Sequence, residues 1–238
     1  MSRQLLRALT AAAGILLGVG VVTGSAANLS LTSQNFTPYR TCTITATPAT
    51  TTAVSDTTAR QGTPTTNFGA LTTLTVSSGN AVNQRVYLRF DLTVCSPAIP
   101  ASAIVRLATL RLYMSAVPAA CRTLNLFPVT AAWVETTLTW NNQPFGTTLN
   151  NPPTGSRTGT FNVGTPVGCQ NQAAGYVAGG TVTADIANFV AGTATNFGWM
   201  IRDDTEGSAT TRTATFTAKE LGTVAQEPQL VITYVRVP

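Results

Sequence analysis

The run Arg85-Val86-Tyr87-Leu88-Arg89-Phe90-Asp91-Leu92 decides the fold class. Val86, Leu88, Phe90 and Leu92 alternate strictly with Arg85, Tyr87, Arg89 and Asp91. Successive side chains of a strand point to opposite faces, so this spacing predicts a strand with one oily face in a core. The other face carries three charges in a chain of which only 10% is charged. It is the first candidate for a functional surface. The plain alternative is a wet face with an Arg89/Asp91 ion pair, which stabilises little in water.

The same two-residue period recurs on both sides of this run. Residues 71–77, 122–129, 157–163, 198–202, 211–218 and 229–235 all read as strands. So does 104–114, with Leu110, Leu112 and Met114 inward and Arg111 and Tyr113 outward. Residues 182–190 fit one or two helical turns as well as a strand. Pro, Gly and Asn punctuate the connections 60–69, 94–102, 141–153 and 164–180. Many short strands without a long helical pattern predict an all-β, antiparallel two-sheet β-sandwich of jelly-roll type. Thr-Asn-Phe-Gly occurs at 66–69 and at 195–198, each time before a strand, and reads as one turn solution used twice.

Arg3 and Arg7 precede a mostly apolar stretch at 8–22, followed by Gly24-Ser25-Ala26-Ala27. This order predicts an export signal over 1–27, cleaved before Asn28, and a secreted, extracellular protein of bacterial type. Gly14, Gly18 and Gly20 weaken the stretch as a membrane helix, and no second apolar span follows. With no cysteine just past the cleavage site and no segment after the last strand, no stable membrane anchor is expected. Residues 28–52 read as a Thr/Ser-rich lead-in and 53–238 as the sandwich domain. Loss of Arg3 and Arg7 takes the net charge from +5 to +3, as 12 Lys+Arg minus 9 Asp+Glu. The remaining basic residues form no block of the kind that binds nucleic acid.

Four cysteines without CxxC spacing, in an exported chain, predict disulfides rather than zinc. Of the three pairings, Cys95–Cys121 with Cys42–Cys169 is favoured. The first pair flanks one strand pair, and the second would staple the lead-in to a long loop.

The chain has no histidine, which excludes His-dependent triads and His-ligated metals. Paired carboxylates need no histidine, and Glu135, two residues after Trp133, is the best candidate acid. Against this stands a carboxylate that caps amides or pairs with an arginine. Asp203, Asp204 and Glu206 offer oxygen ligands in one loop that would suit a structural calcium, although a solvated hairpin tip explains them equally well. Asp56 and Glu220 are alternative ends of a calcium site, and no other cofactor is expected. Tyr87 and Tyr113 share their faces with Arg85, Arg89 and Arg111. On neighbouring strands they would form a shelf of rings and guanidinium groups suited to a carboxylated or polyhydroxy sugar. Arg60 and Asn67, in the 60–69 loop, mark a second location. Trp133 and Trp140 are expected to be packed. One of Trp199 and Met200 should face outward if that sheet has a wet side.

Several pieces, in order, resemble a known family. They start with Asp56, Thr66-Asn67-Phe68-Gly69 and Arg89-Phe90-Asp91-Leu92, then Ala108-Thr109-Leu110-Arg111-Leu112-Tyr113. Trp133-Val134-Glu135 and Thr139-Trp140-Asn141-Asn142-Gln143-Pro144 follow, then Val182-Thr183-Ala184-Asp185-Ile186, Asn196-Phe197-Gly198 and Pro228-Gln229-Leu230. This set is similar to the DNRLRE-type domain, carbohydrate-binding module family 96. The resemblance implies a secreted jelly-roll module without a catalytic centre, whose partner is a polysaccharide and, in some members, an acidic one. The chain departs from a lysine-based acidic-sugar site, since Lys219 is its only lysine. Arginines would have to carry that role. The expectation is a non-catalytic carbohydrate-binding module. The alternative is a structural or adhesive surface protein that self-assembles through sheet edges into an oligomer or filament.

Overall fold

A computed structural model describes residues 38–47 and 51–236; the expected export signal and most of the lead-in lie outside them. The deciding run forms β4, Gln84–Phe90, with Val86, Leu88 and Phe90 all fully buried. Before it come β1, Arg40–Thr45, β2, Val54–Arg60, and β3, Thr73–Ser78. After it come β5, Ile104–Arg111, β6, Tyr113–Ala116, β7, Arg122–Pro128, β8, Gly159–Val163, and β9, Gly175–Tyr176. Helix α1, Thr183–Ala191, precedes β10, Trp199–Asp203, β11, Arg212–Thr217, and β12, Gln229–Val235.

Two antiparallel sheets enclose the core. The smaller runs β1-β12-β5 and the larger β8-β7-β10-β4-β3-β11-β6-β9, with β2 paired to β4. Leu88 and Phe90 of β4 join Leu110 of β5 and Leu230, Ile232 and Tyr234 of β12 in one apolar cluster. This is the β-sandwich that alternation predicts, because each sheet has one oily face to hide.

The expected strand 104–114 breaks at Leu112. Residues before the break pair with β12 in the smaller sheet, and residues after it pair with β11 and β9 in the larger. Leu112 is buried at the crossing, so the apolar alternation continues unbroken while the partners change. The undecided stretch 182–190 is helix α1. Gly192, at φ +72, closes it by donating its N–H to the carbonyls of Asn188 and Phe189. Asp185 accepts the indole N–H of Trp199 at 2.7 Å and seats the helix on β10.

The repeated tetrapeptide is one turn used twice. Asn67 accepts from the Gly69 N–H and Asn196 from the Gly198 N–H, each at 3.1 Å. Asn196 Nδ2 reaches across to the Phe90 carbonyl at 2.8 Å. A Cβ on Gly198 would lie 2.1 Å from the Leu88 carbonyl, so only glycine lets this turn close on β4.

The disulfides are Cys42–Cys95 and Cys121–Cys169, which corrects the expected pairing. The sheet switch at Leu112 is the reason. It carries Cys121 to the start of β7, where Arg122 faces Val163 of β8, and the loop after β8 brings in Cys169. Cys95 stays at the exit of β4, beside β1. Non-reducing peptide mapping is expected to recover the 42–95 and 121–169 linked peptides. A 95–121 peptide would instead contradict this strand order.

Candidate functional site

The polar face of β4 is covered at Arg85 and Tyr87. The long connection between β7 and β8 folds over it and builds a second apolar cluster, in which Tyr87 meets Phe127, Trp133, Leu138, Trp140 and Met200. Arg85 is fully buried there. Its Nε and Nη2 donate to both oxygens of Glu206, at 2.7 and 2.8 Å. Nη1 donates to Gln143 Oε1 at 3.2 Å and to the Gly146 carbonyl at 2.9 Å, and Nη2 also reaches the Thr148 carbonyl at 2.7 Å. The guanidinium lies 4.7 Å from the Trp140 ring centre. Tyr87 donates to Gln143 Oε1 at 3.0 Å, and burial pushes its phenol far above the usual range. Arg85 and Tyr87 therefore have no surface from which to meet a ligand.

The proposed shelf does not form either. In the larger sheet β6 is three strands from β4, roughly 14 Å at the usual inter-strand spacing, while β5 belongs to the smaller sheet. Arg111 and Tyr113 meet at a common neighbour, Tyr176, instead. Arg111 stacks 4.4 Å from the Tyr176 ring centre and donates to Gln229, while Tyr113 packs edge-on to Tyr176 at 5.5 Å. In the 60–69 loop, Asn67 is spent on structure, since its Nδ2 donates to the carbonyls of Glu135 and Leu138. Arg60 stacks on Phe68 at 4.0 Å. Trp133 and Trp140 are packed as expected. Trp199 and Met200 are both buried, one in each cluster, so β10 shows no wet side.

The loop acids are taken up by arginines rather than arranged around a cation. Arg122 pairs with Asp203 and Asp204, and Glu206 is held by Arg85. A hydrogen bond to Asp203 is the main cause that holds the Arg122 guanidinium above its ordinary range. Among the described residues the converging carboxylates are Asp56, Glu135 and Glu220, with one oxygen from each within 4.8 Å of the others. Lys219 pairs with both glutamates, and Glu135 also accepts the Asp56 N–H at 3.4 Å. Glu135 is thus a capping and ion-paired carboxylate, its partner a lysine where an arginine was expected. Burial raises the affinity of Asp56 and Glu135 for a proton, and the neighbouring Glu220 adds to it.

Arg89 behaves differently from Arg85, two residues away on the same face. It is partly exposed and forms no ion pair among the described residues. Among the described residues its guanidinium makes one hydrogen bond, a long one of 3.4 Å to Ser55 Oγ. Asp91 does not pair with it; that carboxylate accepts from Thr93 N–H and caps the short turn Leu92–Val94. Arg89 instead leans 5.7 Å from the Trp133 ring and forms a wall of an open depression of about 400 Å³, with Ser55, Asp91, Phe189 and Asn196. A second depression of about 340 Å³, lined by Thr130, Asp185, Asn188 and Phe197, shares Phe189 with the first. Phe189 of α1 thus borders both depressions. Between them the two depressions present the Arg89 cation, polar side chains and the phenylalanines Phe189 and Phe197.

Residues 47–234 match the model of carbohydrate-binding module family 96. The chain belongs to that family. A sequence comparison with curated proteins returned no match. Within this family 96 module, alternation singled out Arg89 but could not separate it from Arg85. It missed Phe189, whose stretch was undecided between helix and strand, and Asn196, whose turn was legible but whose neighbours were not.

The Arg85–Glu206 pair yields a stability test. Breaking one partner of a fully buried pair costs roughly 3–5 kcal/mol, so Glu206→Gln should lose stability on that scale in chemical denaturation. The Arg85→Met/Glu206→Leu double variant should lose less than Arg85→Met alone. A loss below about 1 kcal/mol for Glu206→Gln would mark the pair as no stronger than a surface contact.

Proposed function

We propose that this family 96 module is exported by its first 27 residues and holds polysaccharide without cleaving it, in the depression lined by Arg89, Phe189 and Asn196. The observation that carries the proposal is Arg89, a guanidinium without an ion pair among the described residues, at the wall of an open depression. A planar fork of donors suits a carboxylate in two-point contact, so a uronic-acid residue is the preferred occupant. Phe189 supplies an apolar ring face for the C–H side of a sugar, and Ser55 and Asn188 supply polar groups for hydroxyls, while Asn196, held by Phe90 and Gly198, shapes the wall.

Two features support the absence of bond cleavage. Glu135, the candidate acid, lines neither depression and is tied to Lys219 and to the Asp56 amide. A glycosidase also needs two carboxyls facing one substrate, one of them to donate a proton. Of the two acids that line the depressions, Asp91 caps a turn and Asp185 holds the Trp199 indole. Two disulfides in so small a protein support an oxidising, extracellular setting. Self-assembly by exchange of the lead-in strand finds less support, because β1 pairs with β12 over six residues and is clamped by Cys42–Cys95.

Affinity electrophoresis against neutral and uronate-containing polysaccharides tests the proposal. Arg89→Ala should weaken uronate binding roughly tenfold or more, with Phe189→Ala similar. Arg111→Ala/Tyr113→Ala should leave it unchanged, and no reducing ends should be released. Binding that survives Arg89→Ala and falls in the double variant would move the site to the Tyr176 cluster.

A further inference from the structure

The cluster of Asp56, Glu135 and Glu220 joins three distant parts of the chain: β2, the loop after Trp133, and the short helix Lys219–Leu221 that follows β11. Its charges do not balance. Three carboxylates face one ammonium, that of Lys219, which donates to Glu135 Oε1 and Glu220 Oε1. Asp56 is fully buried, and its Oδ2 accepts the Lys219 backbone N–H at 3.0 Å. Its other oxygen, Oδ1, is buried with no hydrogen-bond donor among the described residues. Glu220 Oε2 is in the same condition. A buried carboxylate oxygen without a donor is costly, and here there are two in one cluster.

We propose that Asp56, Glu135 and Glu220 form a calcium site. Two oxygens that share a calcium ion at about 2.4 Å each lie at most about 4.8 Å apart, and the three oxygens here all lie within 4.8 Å of one another. All three side chains offer only oxygen, the hard donor set that calcium takes and that zinc and copper do not favour. A divalent cation would also neutralise more of the cluster's three negative charges than the single ammonium of Lys219 does. Calcium fits better than magnesium because it accepts irregular, partly bidentate carboxylate shells, whereas magnesium demands a near-octahedral one. Lys219 then acts as a built-in competitor: its ammonium holds the two glutamates together and swings aside when calcium enters. The Asn67 amide, which donates to the Glu135 carbonyl, ties the Thr-Asn-Phe-Gly turn to the same site. The bound ion would cross-link β2, that turn and the loop that carries Trp133.

Calorimetry and thermal unfolding of the mature protein with calcium chloride, magnesium chloride or chelator test the assignment, with no polysaccharide present. Wild type should bind calcium, and at a hundredfold excess over Kd its Tm should rise by roughly 5–10 °C. Lys219→Met removes the competing ammonium and should bind calcium as tightly or more tightly. Asp56→Asn and the milder, partly exposed Glu220→Gln should each weaken it tenfold or more, and Asp204→Asn, in the arginine-paired loop, should not. Absence of calcium binding in both wild type and Lys219→Met would overturn the proposal. So would binding that survives Asp56→Asn and Glu220→Gln, or that is lost in Asp204→Asn.

Discussion

The salt bridge between Arg85 and Glu206 is the contact on which the outer half of the molecule depends. A guanidinium has five N–H groups, and a buried one is tolerated only when each finds an acceptor. Arg85 makes five hydrogen bonds, to Glu206 twice, Gln143, Gly146 and Thr148. Three of those acceptors lie in the connection between β7 and β8. Satisfying the charge and closing the loop over β4 are therefore one event. Arg202 repeats the device from the next strand, gripping the carbonyls of Asn150 and Pro152 while its guanidinium stacks on Phe127 at 4.9 Å.

Closure of that loop converts a sheet face into a second core. Tyr87, Trp133, Trp140 and Met200 are removed from water there, and each aromatic ring carries an apolar area large enough to matter for stability. The consequence for function is that positive charge is not a guide to binding surface in this protein. Arg85, Arg122 and Arg202 are spent on carboxylates and carbonyls within the fold. Arg89 escapes because it lies at the end of β4 where the covering loop gives way to the turn at Asn196. The edge of the second core is thus also the margin of the depression lined by Arg89.

The main strands were legible because their apolar residues alternate, and that pattern depends only on backbone geometry. Arg85 and Arg89 show where it stops. Both obey the same alternation, yet one is interior and the other faces a depression, since alternation distinguishes two faces of a sheet without saying what covers either. The break at Leu112 was hidden for a related reason. Inward residues on both sides of it enter the same core, so Leu110 and Met114 keep the rhythm while their strands join different sheets. The wrong disulfide pairing followed directly from that hidden switch. In the candidate site, Arg89 was readable as an outward charge, and Asn196 only as part of a repeated turn. Phe189 needed the helix to be known.

By itself the sequence determined the class of fold, the turn chemistry of its two Thr-Asn-Phe-Gly strings and the packed fate of Trp133 and Trp140. It also determined membership of carbohydrate-binding module family 96, through an ordered set of local motifs. All of these rest on contacts between residues near in the chain or on one repeated backbone period. Only the tertiary structure decided which arginines are interior, which cysteines meet and which three carboxylates converge. Those outcomes depend on residues 48 to 164 positions apart, brought together by sheet order and loop closure, and no local pattern encodes such a distance.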